Sequence, residues 1–363
     1  MKILVLCPFP YGVAAGQRLK FEQYYNDWCV SGHTIKVRPF MSMSLWHIAY
    51  KKGFYFEKIF LTFLAYIRRF VDLAEIPNYD LVYVFMWVSP FGPPFFERLA
   101  RALAKKILYD LEDNLLASSN DQSVSSVNPL LRLIKSSSKI KYLIQQSDAV
   151  ITSSPDLEQQ CAKLNKNSRA KYITSSVNVS RFRPSSSEFY SKVCIGWTGT
   201  ISSLPYLRLL EPVLFKLSKI REFKLLVIGN FDYSFDYLDL DVLQWNKQSE
   251  IADLGRIDIG VYPLPSTDWV GGKSGLKAIQ YMAMQIPVVA SNVGNTPNVV
   301  VDNSTGLLVN SQDEWLRALI SLIDNPSLRA FLGENGRRRC EKLYSTQVVS
   351  SLYVNALDYA ISD

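Results

Sequence analysis

The stretch "IDIGVYPLPSTDWVGGKSGLKAIQYMAMQIPVVAS", Ile257 to Ser291, decides the architecture. Ile257 to Pro263 is a short run of β-forming residues, Gly275 to Met284 repeats apolar residues at helical spacing, and Ile286 to Ser291 is again a continuous β-forming run. Two strands joined through a helix cannot form a hairpin. They need a crossover, which predicts parallel pairing in an α/β layer.

Working outward, the same alternation recurs. Val193 to Thr200, Phe223 to Gly229 and Gly306 to Val309 read as further strands of this half, and Ser311 to Ile323 as a helix opened by a capping box of Ser311 and Glu314. An earlier set of strands is read at Lys2 to Pro8, Thr34 to Phe40, Asp80 to Met86, Lys106 to Glu112, Asp148 to Ser154 and Ala170 to Ser176. Helices at Pro93 to Lys105, Pro129 to Gln146 and Pro155 to Asn165 lie between them, each with proline in its first turn. Between the two sets, "RFRPSSSEFYSK" reads as a linker at Pro184. A chain of 363 residues suits two domains at roughly 150 residues each. The expectation is therefore α/β: two Rossmann-like domains over 1–184 and 185–344, their parallel sheets facing across a cleft, with 345–363 a C-terminal helix that crosses back to the first.

Composition narrows the chemistry. With 48% hydrophobic and 20% charged residues, the chain is neither disordered nor fibrous. Its net charge of +7 admits nucleic acid, an anionic membrane surface or phosphorylated ligands. Five scattered cysteines form no CxxC pair and read as buried thiols, and two histidines, His33 and His47, are too few for a multi-histidine metal site. The start "MKILVLCPFP" lacks a signal-peptide pattern, and the apolar run Ile59 to Ile67 falls short of the ~20 residues that cross a bilayer, so a cytoplasmic chain is expected. The segment Lys51 to Phe70 differs from its surroundings. It sets Phe56, Ile59, Phe60, Phe63, Ile67 and Phe70 on one helical stripe, with Lys51, Lys52, Lys58, Arg68 and Arg69 at its ends and flank. Such a helix either packs on the sheet or lies on a bilayer surface.

The chemistry concentrates after the strand at Ile257. Ser274 is expected to cap a helix starting at Gly275, whose first amides and dipole suit an anion such as a diphosphate. Lys273, Lys277 and Gln280 stand at i, i+4 and i+7, on a face turned from Ile279, Met282 and Ala283. A solvated lysine face is the alternative, but it would not need Gly271, Gly272 and Gly275. "GGKS" is no P-loop, because position 267 is Thr267 where that pattern requires glycine.

This stretch, "GGKSGLKAIQYMAMQIPVVAS", resembles the donor-site motif of glycosyltransferases of family four, which have the GT-B fold. It keeps the family's Gly, M-A and P-V-V-A-S. The resemblance continues through "PYGVAAGQR", "SGHTIKV", "DAVITSSPDL", "VNVSRFRP", "NSTGLLV" and "RRRCEKLYS" over nearly the whole chain. It implies transfer of a sugar from a nucleotide-sugar donor with retention of configuration and without a metal or other cofactor. The family's paired glutamates fall on Gly272 and Gln280, and its Arg/Lys pair is not evident in "GWTGTISSLPYLRLL", so the chain is similar to a subgroup with GK-x-G-x-K-x-x-QYMA.

By this resemblance Lys273 supplies cationic charge, Ser274, Gly275, Leu276 and Lys277 hold phosphate and sugar, and Gln280 meets a ribose hydroxyl. Gly16 with Gln17 and Arg18 borders the cleft in the first half, leaving space for donor phosphate and acceptor, Thr198, Gly199 and Thr200 approach the pyrophosphate, and Trp245 with Asn246 stands at the nucleobase. Asp110, Glu112 and Asp113 lie at the C-terminal end of a strand, where Glu112 or Asp113 can orient the acceptor hydroxyl or accept its proton; a helix cap is the competing reading. "DLED" and "YLDLD" could form a DxD metal site only in another transferase architecture. The acceptor is expected to be a saccharide or lipid-linked saccharide of cell-surface glycan assembly, with the chain at the inner face of the plasma membrane and no nucleic-acid partner. The alternative is a degenerate, nucleotide-binding scaffold. An NAD-dependent oxidoreductase lacks G-x-G-x-x-G, and a nucleotide-sugar epimerase would be separated by its products.

Overall fold

A computed structural model describes residues 1–49, 51–117, 137–184 and 191–362. The continuous Ile, Leu and Val runs become strands buried on both faces, which is the environment of a parallel sheet covered by helices. The chain forms two compact units, Met1–Thr174 with Val349–Asp363, and Ser175–Val348.

In the first unit the strands are β1 (Lys2–Cys7), β2 (Thr34–Pro39), β3 (Leu81–Phe85), β4 (Ile107–Leu111), β5 (Ala149–Thr152) and β6 (Ala170–Tyr172), in the order β2-β1-β3-β4-β5-β6, all parallel. Helices α1 (Ala15–Lys20), α2 (Tyr25–Val30), α3 (Met43–Ala49), α4 (Tyr55–Glu75), α5 (Phe95–Leu103), α6 (Ser137–Gln146) and α7 (Pro155–Leu164) belong to it. Ser154 caps α7 by accepting the Leu157 amide at 3.1 Å. Part of the helix expected at Pro129 to Gln146, residues 129–136, lies outside the described residues.

In the second unit β7 (Cys194–Thr198), β8 (Lys224–Gly229), β9 (Asp239–Gln244), β10 (Ile259–Tyr262), β11 (Val288–Ser291) and β12 (Gly306–Val309) form a second parallel sheet, ordered β12-β11-β10-β7-β8-β9. Its helices are α8 (Leu204–Arg208), α9 (Glu211–Ser218), α10 (Glu250–Leu254), α11 (Asp268–Gly271), α12 (Leu276–Ala283), α13 (Thr296–Val299), α14 (Gln312–Asp324) and α15 (Pro326–Leu343). The last helix, α16 (Thr346–Ile361), buries Val349, Tyr353, Ala356, Leu357 and Ala360 against β1, β3 and Trp28 of the first unit.

Each sheet separates two apolar layers, the doubly wound arrangement. The units part after Thr174 and not at Pro184. Val177 bridges Ser345, and Phe182 is buried in the second unit's core, so residues 175–184 fold with that unit.

Three readings change at the level of single residues. β9 is an edge strand absent from the sequence reading, and its Asp239 and Asp241 lie 2.8 and 3.1 Å from Lys224, an ion-pair cluster across the β8–β9 ladder. Cys29 is exposed at the end of α2, whereas the other four thiols are buried. Glu314 accepts the Asn310 amide at 2.7 Å, so only the Ser311 half of the capping box forms.

Several carboxylates are held below their ordinary range. Glu75 is lowered mainly by its hydrogen bond from Lys36 (2.7 Å), and Asp80 mainly by the Lys2 amide (2.8 Å). Depressed carboxylates stabilise the fold above their unfolded-state values, and that contribution disappears as pH falls through the folded-state values. The expected result is a melting temperature that drops on acidification from about pH 5 to about pH 3. Melting curves of Glu75→Gln should show a shallower drop; an unchanged slope would remove Glu75 from the account.

Candidate functional site

In a doubly wound sheet, ligands sit beyond the carboxyl ends of the strands at the point where strand order reverses. In the second unit that point lies between β7 and β10, and in the first between β1 and β3. The sequence candidates Thr198, Gly199 and Lys273 to Gln280 lie on the two connections that leave the second unit's switch point, and Gly16 with Arg18 lies on one that leaves the first.

The second unit joins its two connections through specific contacts. Tyr281 of α12 packs on the backbone of Gly260, where a Cβ would stand 2.6 Å from its ring. Its hydroxyl donates to the Gly196 carbonyl at 3.3 Å and accepts the Thr198 amide at 3.1 Å. Burial holds this phenol well above its ordinary pKa, so it stays protonated. Trp197 lies across Gly199, where a Cβ would come within 2.1 Å of the indole. Lys277 Nζ sits 4.8 Å from the centre of the Trp197 ring and donates to Ser203 Oγ at 3.3 Å. Thr198, Gly199, Ser203, Lys277 and Tyr281 are thus one constellation, built by a cation–π contact and a buried phenol.

The start of α12 differs from the sequence expectation. Gly275, not Ser274, is the N-cap, in a left-handed conformation at φ 80°, and no side chain caps the helix. A Cβ at Gly275 would also stand 2.8 Å from Val299 Cγ2, so both backbone angle and space demand glycine. Ser274 is buried, and its carbonyl accepts Asn295 Nδ2 at 3.3 Å. The intrahelical ladder begins with the Ile279 amide on the Gly275 carbonyl at 3.1 Å, so the amides of residues 276–278 precede it. Lys273 lies before the helix, its Nζ 5.1 Å from the centre of the Trp269 ring. The i, i+4, i+7 spacing therefore does not align it with Lys277. Gln280 is buried at 7% exposure, while Lys273, Leu276 and Lys277 are half-buried.

Trp245 follows β9 and is half-buried against the second unit's core. Its amide donates to the Gly229 carbonyl at 2.7 Å, and a Cβ at Gly229 would stand 3.0 Å from the Gly199 carbonyl. The ends of β7, β8 and β9 therefore form one row. Asn246 is exposed, and its Oδ1 accepts the Gln248 amide at 2.9 Å.

In the first unit, Gln17 fixes the loop after β1. It donates to the Phe9 carbonyl (2.8 Å) and to Glu22 Oε1 (2.6 Å), and Glu22 Oε2 accepts the Gly12 amide (2.8 Å). Gly16 faces Glu112, whose carboxylate would stand 2.7 Å from an added Cβ. This places two candidates from different connections side by side. Arg18 is buried at 7% exposure. Asp113 lies in the bend after β4, and the turn there is capped by Asn114, whose Oδ1 accepts the Ala117 amide at 3.3 Å. Behind Glu112, Asp110 is fully buried, 2.6 Å from Lys20 Nζ, and accepts the Tyr83 hydroxyl.

Sequence reasoning missed Trp197, Ser203, Tyr281, Trp269 and Glu22. Trp197 and Tyr281 are core aromatics, buried in the second unit. Only the register Gly260↔Gly196 shows that the Tyr281 hydroxyl reaches the switch point.

Comparison with known proteins gives this arrangement a context. Residues 214–339 match the family model of glycosyl transferases group 1. A capsular polysaccharide biosynthesis glycosyltransferase, CapM of Staphylococcus aureus, is 30% identical over 145 residues, 37% of each chain. A GDP-mannose-dependent monoacylated α-(1-6)-phosphatidylinositol monomannoside mannosyltransferase of Corynebacterium glutamicum is 27% identical over 214 residues, 52% of this chain and 55% of that one. The matches thus span about half or less of these curated relatives. Sucrose-phosphate synthase from Thermosynechococcus elongatus superposes with a TM-score of 0.75 at 17% identity, covering 99% of this chain and 98% of its own. Anabaena Alr3699/HepE in complex with UDP and glucose gives 0.69 at 14% identity, covering 99% of each. At these identities the two structures share the fold: two parallel α/β sheets with glycosyltransferases as structural neighbours.

Proposed function

We propose that this chain is a glycosyltransferase of the group 1 type, retaining and metal-independent, moving a sugar from a nucleotide-diphosphate sugar to a saccharide or lipid-linked saccharide. The observation that carries the reading is the constellation at the β7/β10 switch point. There a cationic Lys277, the Ser203 hydroxyl and the start of α12 converge beyond the strand ends. Such a cluster is suited to a diphosphate, whose negative charge grows as the sugar leaves. Lys273 adds a second cation on the same connection. HepE, a structural neighbour, holds UDP and glucose, which supports a nucleotide-sugar donor here. In the first unit, Glu112 and Asp113 are the groups proposed to orient the acceptor hydroxyl.

A second reading rests on Gly272 and Gln280, which stand where the family resemblance expects paired glutamates. On that reading the chain binds nucleotide without turnover, as a scaffold.

A nucleotide-sugar screen separates the two. The transferase reading expects thermal stabilisation by one donor and release of its nucleoside diphosphate, both weakened in Lys273→Ala. Stabilisation without release in the presence of varied acceptors selects the scaffold. If no nucleotide stabilises the chain, both readings fail.

A further inference from the structure

Helix α4 is built inside out. Its inner side carries Ala65, Arg69, Asp72 and Leu73, all buried, and Arg69 bonds Asp72 at 3.3 Å and the Arg38 carbonyl at 3.1 Å. Its outer side carries Phe56 (87% exposed), Ile59 (69%), Phe60 (59%), Phe63 (60%), Ile67, Phe70 and Val71. Exposed Phe95 of α5 extends the same surface through its ring contact with Phe70. A helix on a water-facing surface has the opposite polarity. The packing expectation for this stripe is therefore corrected: the helix packs on its unit by the other face.

Charge defines what this ridge suits. Of the three acids on α4, Asp72 is paired with Arg69 and Arg38, and Glu75 with Lys36 and Arg38, which leaves Glu57. Lys51 and Lys52, just before α4, and Arg68 on it are exposed, Arg68 donating to the Pro39 and Phe40 carbonyls. From Phe56 to Val71 the ridge is about 22 Å long. Among the described residues no helix is long and apolar enough to cross a membrane. A convex aromatic ridge with a cationic rim matches a helix lying in the headgroup region of a bilayer. Pairing two copies through this ridge would set two cationic rims at one interface, with Glu57 the lone outward acid on each α4.

We propose that the outer face of α4 seats this chain on an anionic lipid bilayer, with Phe56, Phe60 and Phe63 entering the interface and Lys51 and Lys52 meeting lipid phosphates. The inference rests on α4 alone and stands whether or not the chain transfers a sugar. Its test needs no donor: flotation of the full chain with phosphatidylcholine vesicles, with and without phosphatidylglycerol. The chain should float with the anionic vesicles and be released by salt. Phe56→Ser/Phe60→Ser/Phe63→Ser should lower the bound fraction at least about tenfold. Lys51→Glu/Lys52→Glu should abolish the preference for phosphatidylglycerol. These side chains stand outside the core, so circular dichroism melts should be unchanged; if the triple variant melts early, Phe56→Ser alone replaces it. Failure of the wild type to float overturns the proposal, as does flotation that the serine variants leave intact. A dimer that the triple variant splits, without vesicle binding, also overturns it and assigns the ridge to a second copy.

Discussion

A Lys20→Met chain should lose about 3–5 kcal/mol of stability in its first unit. Lys20 and Asp110 are an ion pair at 2.6 Å with side chains 2% and 0% exposed. Both groups have left water, and each is tolerable only because of the other. Burial pushes the Asp110 carboxyl above its ordinary value, while Lys20 and then the Tyr83 hydroxyl pull it back. Removing Lys20 leaves a buried carboxylate with only the Tyr83 hydroxyl, so the carboxyl should take up a proton instead.

That consequence has a sign. A carboxyl whose folded-state pKa is raised is best tolerated below its unfolded value, and stability is lost as pH rises through the folded value. The penalty in Lys20→Met should therefore be smaller near pH 5 than at pH 8. Adding Asp110→Asn removes the charge and keeps an acceptor for Tyr83, so the double variant should regain more than half of the loss. Urea unfolding at two pH values checks both statements. A pH-independent loss, or a double variant no better than the single, would show that Lys20 acts through packing, such as its contact with the Phe85 ring at 5.8 Å.

The fold was largely legible because continuous apolar runs separated by helical periods admit few arrangements. The strand that escaped, Asp239–Gln244, alternates aspartates with apolar residues, and its charges are compensated by Lys224 of the neighbouring strand, information no local window contains. The α4 stripe was legible as a stripe but not in its direction. Periodicity specifies which residues share a face, whereas the inward face was chosen by Arg69 and Asp72 pairing inside the unit. The same limit applies at α12. A glycine in the left-handed region caps the helix, which starts at Leu276, and Lys273 stands before that cap, where helical spacing no longer sets its direction.

Lys277 is then the residue on which the proposed chemistry turns. Its ammonium is placed over the ring of Trp197 near the end of β7 and against Ser203 on the connection that follows, while its stem rises from the first turn of α12. It therefore bridges the two connections at the switch point, where a departing diphosphate would develop charge. Lys277→Ala should lower kcat about 10²–10³-fold, with a smaller change in KM, because the interaction strengthens as the leaving group becomes more negative. The side chain is half-buried and outside the apolar layers, so the melting temperature should hold. Lys277→Arg keeps the charge but not the compact ammonium, and should recover part of the rate. Lys273, which precedes the helix and rests on Trp269, should contribute mainly to donor binding, with about a tenfold rise in KM in Lys273→Ala. Steady-state kinetics with the donor identified by the screen decides between the two lysines. An unchanged kcat in Lys277→Ala would move the leaving-group charge away from this cluster, and equal kcat losses in both variants would spread it over the whole connection.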